Sequence, residues 1–270
     1  MEKIINNVDP IKLFGSYMKI TGVPSLSFEP SADLRLHGKK LGVINGSNWV
    51  SLWSTYFGRL FLPGVKLLNA GNEAVQLNFM LAHERGEKCP PQINIDLFER
   101  YAKDLYELYN VDALLISCST MNRAFNQVKE SMAPYNVPVM QIDQAMMEEA
   151  VKSGGKILVV ATHGPTVLST QELLLETATK FGKKISFAGV TVEEAFGFLG
   201  KGDIAAHNKV ISMAIRSSIQ KEHISSVVLA QLSMSVFSFS YPDPEKTFGV
   251  KVLNSGETGF KRAGDVLRSL

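Results

Sequence analysis

Few side chains in this sequence could move a proton or attack an electrophile, and the best of them follow apolar runs. Cys118 closes such a run in DALLISCSTMNRAF (112–125) and is followed by Ser119, Thr120 and a segment of helical character. A helix N-terminus offers unpaired N–H groups and the positive end of a dipole, both of which favour thiolate over thiol. The two hydroxyls and the same N–H groups make an anion site of carboxylate size. A buried cysteine acting as a small hydrophobe fits the same pattern, so these residues leave reactive thiol and filler both open. Cys89, in EKCPPQ, is followed by two prolines and reads as incidental.

Two further segments carry polar groups at strand ends. ATHGPTVLSTQELL (161–174) presents Thr162, His163 and Thr166 around Pro165, which opens a helix. Thr162 and nearby N–H groups could hold a polar group of a ligand, or the segment could simply cap its helix. His163 is a candidate proton donor or a structural imidazole. NGSNW (45–49) places Asn45 and Ser47 beside Gly46, in a form that ordinary turns also take.

Composition narrows the chemistry. The chain has 270 residues, 45% hydrophobic and 20% charged, with a net charge of +2 spread along its length. No basic block marks a nucleic-acid footprint. No apolar run reaches the roughly 18 residues of a membrane span. The start, MEKIINNVDP, lacks the apolar core of a signal peptide, so a cytoplasmic protein is expected. Two cysteines make no disulfide framework, and the histidines show no ligand spacing, so no metal site is expected. G-x-G-x-x-G after the first strand, G-x-x-x-x-G-K-[ST] and G-x-S-x-G are all missing, which leaves nucleotide binding and serine hydrolysis without support.

These residues need elements to position them. Residues 1–38, broken by Pro10, Pro24 and Pro30, read as an irregular N-terminal extension that could serve a homo-oligomer contact. From Lys39 onward, short β-branched runs alternate with amphipathic ones. Strands are expected at 40–45, 65–69, 111–117, 137–142, 156–161, 184–190, 225–231 and 249–253. Helices are expected at about 48–61, 93–109, 119–133, 166–181, 203–222 and 256–269. Continuous apolar strands alternating with helices indicate an α/β fold with parallel sheets covered on both faces.

A weak internal repeat divides the chain. KLGVINGS (40–47) resembles KILVVATH (156–163), and ALLISCSTMN (113–122) resembles SVVLAQLSMS (226–235), in the same order at nearly equal spacing. This predicts two similar lobes related by a pseudo-twofold, with the cleft between them. The expected boundaries are 39–142 plus 249–270 for the first lobe and 143–248 for the second. Ligands of open parallel sheets sit beyond the carboxyl ends of the strands, so Asn45, Cys118, Thr162 and Gln231 should face one cleft.

At this level the chain resembles the aspartate/glutamate/hydantoin racemase superfamily from about Lys39 to its end. LLISCSTMNRAF is similar to that family's first cysteine motif, VVATHGPTVLST to its Ala-Thr-x-x-Thr segment, and VLNSGETGFKRAGDVL to its closing strand and helix. The resemblance implies a cofactor-independent racemase or isomerase in which two cysteines exchange protons with opposite faces of a small carboxylate or amino-acid-like compound. Cys118 would be the first. Ser119, Thr120 and Thr162 would bind carboxylate, with Asn45, Ser47 and His163 nearby. The second motif departs: AQLSMS puts Gln231 where the family has its other cysteine, followed by Ser233. An amide neither gains nor loses a proton near neutrality. One thiol suits a malonate-type decarboxylation or a cis–trans isomerisation as well as a racemisation. A non-catalytic protein that binds a small carboxylate is the remaining reading.

Overall fold

Runs such as LGVIN and ILVVA are apolar on both sides of the pleat, which a strand tolerates only where helices cover both faces of its sheet. The computed structural model, which describes residues 8–23 and 32–270, has that arrangement twice. Strands β1 (Lys40–Asn45), β2 (Lys66–Gly71), β3 (Ala113–Ile116) and β4 (Val139–Gln141) form one parallel sheet in the order β2-β1-β3-β4. Strands β5 (Lys156–Ala161), β6 (Ser186–Thr191), β7 (Ser226–Leu229) and β8 (Lys251–Asn254) form the other in the order β6-β5-β7-β8. The strand order repeats position for position, so β1 matches β5 and β3 matches β7, as the sequence repeat implies. These four central strands are almost wholly buried, whereas the edge strands β2 and β6 are half exposed.

The first lobe carries helices α2 (Asn48–Phe61), α3 (Glu73–Glu84), α4 (Gln92–Tyr109) and α5 (Phe125–Met132). The second carries α6 (Gln144–Ser153), α7 (Gly164–Lys180), α8 (Glu193–Gly200), α9 (Ile204–Lys221), α10 (Phe237–Ser240) and α11 (Pro244–Phe248). Before them comes α1 (Pro10–Thr21), and α12 (Ser255–Ser269) ends the fold. Among the described residues, no helix is long and apolar enough to cross a membrane.

Three expectations change. Residues 10–21 are helical, not irregular: the Asp9 carboxylate accepts from the N–H groups of Ile11 and Lys12, and Pro10 opens the helix. Residues 1–7 and 24–31 of the expected extension lie outside the described residues. The proposed lobe boundary also shifts, because β8 pairs with β7 in the second sheet through the register Ser226↔Lys251 to Leu229↔Asn254. Only α12 returns to the first lobe, where Phe260, Ala263 and Leu267 join the buried cluster of Leu41, Val43 and Leu115. Glycine makes that return possible. A Cβ on Gly259 would lie 2.6 Å from the backbone oxygen of Ile142. Finally, α3 and α8, absent from the sequence reading, form walls of the cleft.

Candidate active site

The strand ends of both sheets meet at a cavity of about 240 Å³. From the first lobe it is lined by Gly46 and Ser47 after β1, by Ser117 to Thr120 after β3, and by one face of α3. From the second it is lined by His163 to Thr166 after β5, by Glu193 and Phe196 of α8, and by Gln231 to Ser233 after β7.

Cys118 and Gln231 hold equivalent places. Each is the extended residue that opens a 3₁₀ turn after the third strand of its sheet, Ser119–Ala124 and Leu232–Val236 respectively. The Cys118 sulfur lies 3.2 Å from Thr120 Oγ1. Burial pushes its pKa up. The Thr120 hydroxyl and the N–H groups of Met121, Gly46 and Thr120 oppose that shift without cancelling it. The resting group is therefore a neutral thiol, and the same donors are in place to receive the thiolate once it gives up its proton. The sulfur can sit there only because residue 46 is glycine: a Cβ would come within 2.6 Å of Sγ.

Gln231 is fixed differently. Its Oε1 accepts from the Thr162 N–H at 2.7 Å and from Thr162 Oγ1 at 2.9 Å. Because a backbone N–H can only donate, the amide orientation is determined, and the Nε2 hydrogens are what Gln231 has left to offer.

The expected site residues divide into two groups. Cys118, Ser47, Ser119, Thr120, His163, Gln231 and Ser233 all line the cavity. Asn45 and Thr162 do not. Asn45 is fully buried beneath the floor, where its amide donates to Asn69 Oδ1 and its Oδ1 accepts from Ser54 and Ser117. Thr162 is spent on Gln231. Both are buried out of the cavity, and their hydrogen bonds tie neighbouring strand ends together.

Further groups bear on the site, and of these Asp143 and the α3 residues Val75, Phe79 and His83 were not among the expected residues. Thr166 is 1% exposed and lines the cavity, yet its Oγ1 has no protein partner. It sits in the first turn of α7, whose N-cap His163 supplies no side-chain acceptor. The matching helix start in the first lobe is already filled: Glu73 accepts from the Asn48 N–H at 2.7 Å and from Asn48 Nδ2. Asp143, between β4 and α6, accepts from Ser119 Oγ at 3.1 Å. Burial raises its pKa to about 7, against the Ser119 and Ser255 hydroxyls, which favour the charge. His163 packs edge-on to Phe196, its Nε2 is buried without a partner, and burial lowers its pKa despite nearby Glu193. Val75, Phe79 and His83 were findable, because they recur at helical spacing behind an Asn72 cap.

Cys89 lies away from the cavity, its thiol pointing at the carbonyls of Phe79 and Glu87. Among the described residues, no cluster of His, Cys, Asp or Glu could hold a metal ion.

A family model described as Asp/Glu/hydantoin racemase matches residues 92–263, more than half of the chain. An aspartate racemase homologue from Pyrococcus horikoshii OT3 is 19% identical, with a TM-score of 0.61 over 85% of this chain and 99% of its own. A glutamate racemase from Bacillus anthracis is 18% identical, with a TM-score of 0.60 over 86% of this chain and 82% of its own. An allantoin racemase from Pseudomonas fluorescens is 18% identical, with a TM-score of 0.58 over 85% and 91%. At these identities the likeness is one of fold. No curated protein matches the chain in sequence.

Proposed function

The chain belongs to the Asp/Glu/hydantoin racemase family, and on that premise we propose that it is a racemase- or isomerase-type enzyme that transfers a proton through Cys118. Its substrate is a small carboxylate or amino-acid-like compound, and the proton moves at the carbon beside the carboxyl or carbonyl group. The observation that carries this reading is the facing pair: a neutral thiol ringed by donors on one wall, and an amide with only N–H left to give on the other.

The ligand's charged head fits at the start of α7. Helix N-termini favour anions, this one is unfilled by any side chain, and the buried Thr166 hydroxyl lacks a partner. Ser233 supplies a further hydroxyl. The reacting carbon then lies toward Cys118. When CO2 leaves the reacting carbon, or His163 takes a proton from it, the bonding electrons pass to the neighbouring carboxyl or carbonyl oxygen, and the Gln231 amide donates to that oxygen and stabilises the enolate. Cys118 delivers the proton to carbon, and the electron pair of its S–H bond stays on sulfur, where the three N–H groups and Thr120 hold it. The chemistry calls on no cofactor.

With one thiol, protonation from a single face is the simplest outcome, which suits a decarboxylation or a one-face isomerisation. Racemisation needs a second acid–base group on the opposite wall. His163 is the imidazole there, neutral at pH 7 because its pKa is lowered.

Proton–deuterium exchange in D2O, followed by NMR over a panel of carboxylates and cyclic ureides, tests the reading. Exchange, decarboxylation or isomerisation that disappears in Cys118→Ala is expected. A wild type indistinguishable from that variant on every compound, while still binding one of them, would make this a binding protein.

A further inference from the structure

The cavity wall also speaks to the body of the ligand, and it does so without reference to the thiol. Trp49, Val50, Phe79, Met80, Phe196 and Leu232 make its apolar surface. Among the described residues no lysine or arginine lines it, and the charged side chains that do are Glu84 and Glu193. Beyond the site of the charged head, a second carboxylate would meet polar groups such as Ser47, Gln76 and His83, no lysine or arginine, and two like charges. Its Coulomb repulsion with Glu84 and Glu193 would have no lysine or arginine to offset it.

An aromatic pair closes one side of the cavity. Trp49 comes from α2 of the first lobe and Phe196 from α8 of the second, with ring centroids 6.3 Å apart and planes tilted by 60°. The Trp49 indole N–H donates to Gln76 Oε1 at 3.1 Å, which fixes how that ring faces the cavity. The Phe196 ring is backed by His163, with centroids 4.6 Å apart. At that distance the Trp49 and Phe196 rings touch each other across the lobes and form one continuous aromatic wall of the cavity.

We infer that the compound acted on in this cleft carries one polar head and one apolar, ring-sized substituent packed against the wall of Trp49 and Phe196, and that dicarboxylic amino acids are poor ligands. The inference rests on the proposed chemistry only in taking this cavity as the substrate site. Phe196 and Met80 are then specificity-determining residues: the first packs against the substituent, and the second is an apolar lining position where a cation can be introduced.

Calorimetric titration of the full chain with phenylacetate, succinate and L-aspartate tests it. Phenylacetate should bind about tenfold or more tightly than either dicarboxylate, and Phe196→Ala should weaken it by about tenfold, the loss of one ring contact and its buried area. Circular dichroism checks that Phe196→Ala folds. Met80→Arg, at a position 38% exposed on α3, should strengthen succinate while leaving phenylacetate equal or weaker. Succinate or aspartate binding as tightly as phenylacetate would overturn the inference, as would no binding of phenylacetate, or a folded Phe196→Ala with unchanged affinity. Exchange in D2O separates the two readings. Exchange on aspartate but not on 2-phenylpropionate or 5-benzylhydantoin sinks the inference and keeps the chemistry at Cys118. Selective phenylacetate binding with no exchange on any compound does the reverse.

Discussion

The turn after β3 and the turn after β7 are the same piece of architecture with different chemistry installed. Both leave the third strand of a four-stranded parallel sheet, and both put an extended residue at the start of a 3₁₀ turn on the cavity wall. On the first wall that residue is Cys118, a thiol beside the Thr120 hydroxyl and the N–H groups of Met121, Gly46 and Thr120. On the second it is Gln231, tied back to Thr162 so that it can only donate. The helix starts differ in the opposite sense. The start of α2 is neutralised by Glu73, whereas that of α7 is open toward the cavity. On the proposed reading, Cys118 of one lobe supplies the proton and the open helix start of the other holds the anion. Duplicated topology fixes where side chains stand but leaves free which of them react.

The largest effect expected from breaking this division is at Cys118. Cys118→Ala should lower turnover by about 10³-fold, within the range for loss of a positioned proton-transfer group, with little change in urea midpoint. Gln231→Glu comes next. It keeps an acceptor for Thr162 but removes the N–H donors and adds a charge beside the developing anion. A loss of about 10²-fold in kcat is expected, comparable to removing one oxyanion donor. A Gln231→Glu enzyme as fast as wild type would mean the second wall does not stabilise charge at all.

Asp143 tests whether the region where the chain crosses between the lobes is coupled to the first wall, since its carboxyl holds Ser119. The native protein keeps a proton on Asp143 up to about pH 7, whereas the unfolded chain releases it near pH 4. The folded state therefore binds the extra proton between those values. Stability from this group is fully present below about pH 4 and falls as pH rises to 7, by up to roughly 4 kcal/mol, with no further loss above. Asp143→Asn should flatten that slope and be the more stable protein at pH 8, as read from urea midpoints across pH 4–8. An unchanged slope would show that Asp143 is ionised in the native state.

The smallest effect is expected where α12 docks. Gly259→Ala should cost about 1–3 kcal/mol, typical of overpacking a tight contact, because its methyl would meet the Ile142 backbone. Activity at low temperature should persist, since the cavity walls do not include that residue.

Much of this was legible in the residues. Apolar runs flanked by helical patterns gave the parallel sheets, and the pairing of KLGVINGS with KILVVATH anticipated the repeated strand order. Seven of the nine expected site residues line one cavity. The misses share a cause. Asn45 and Thr162 lie at strand ends, and strand position alone does not say whether a side chain points up into a cleft or back into its own floor. Thr166 looked like helix capping, because nothing local reveals that His163 takes the cap and leaves the Thr166 hydroxyl without a partner. The start of α12 was placed correctly, but β8 was assigned to the wrong sheet, because both lobes offer an apolar edge that such a strand could extend.

By itself, the sequence determined the fold class, the internal duplication, the presence of one cysteine at a strand end and the amide opposite it. Those properties are periodic or local, so single segments record them. Tertiary structure alone decided that Gly46 must yield space to the Cys118 sulfur, that Thr162 turns the Gln231 amide, that burial raises the pKa of the thiol and of Asp143, and that no lysine or arginine among the described residues lines the cavity. Each depends on distances between residues far apart in the chain, and on the water that folding removes from around them.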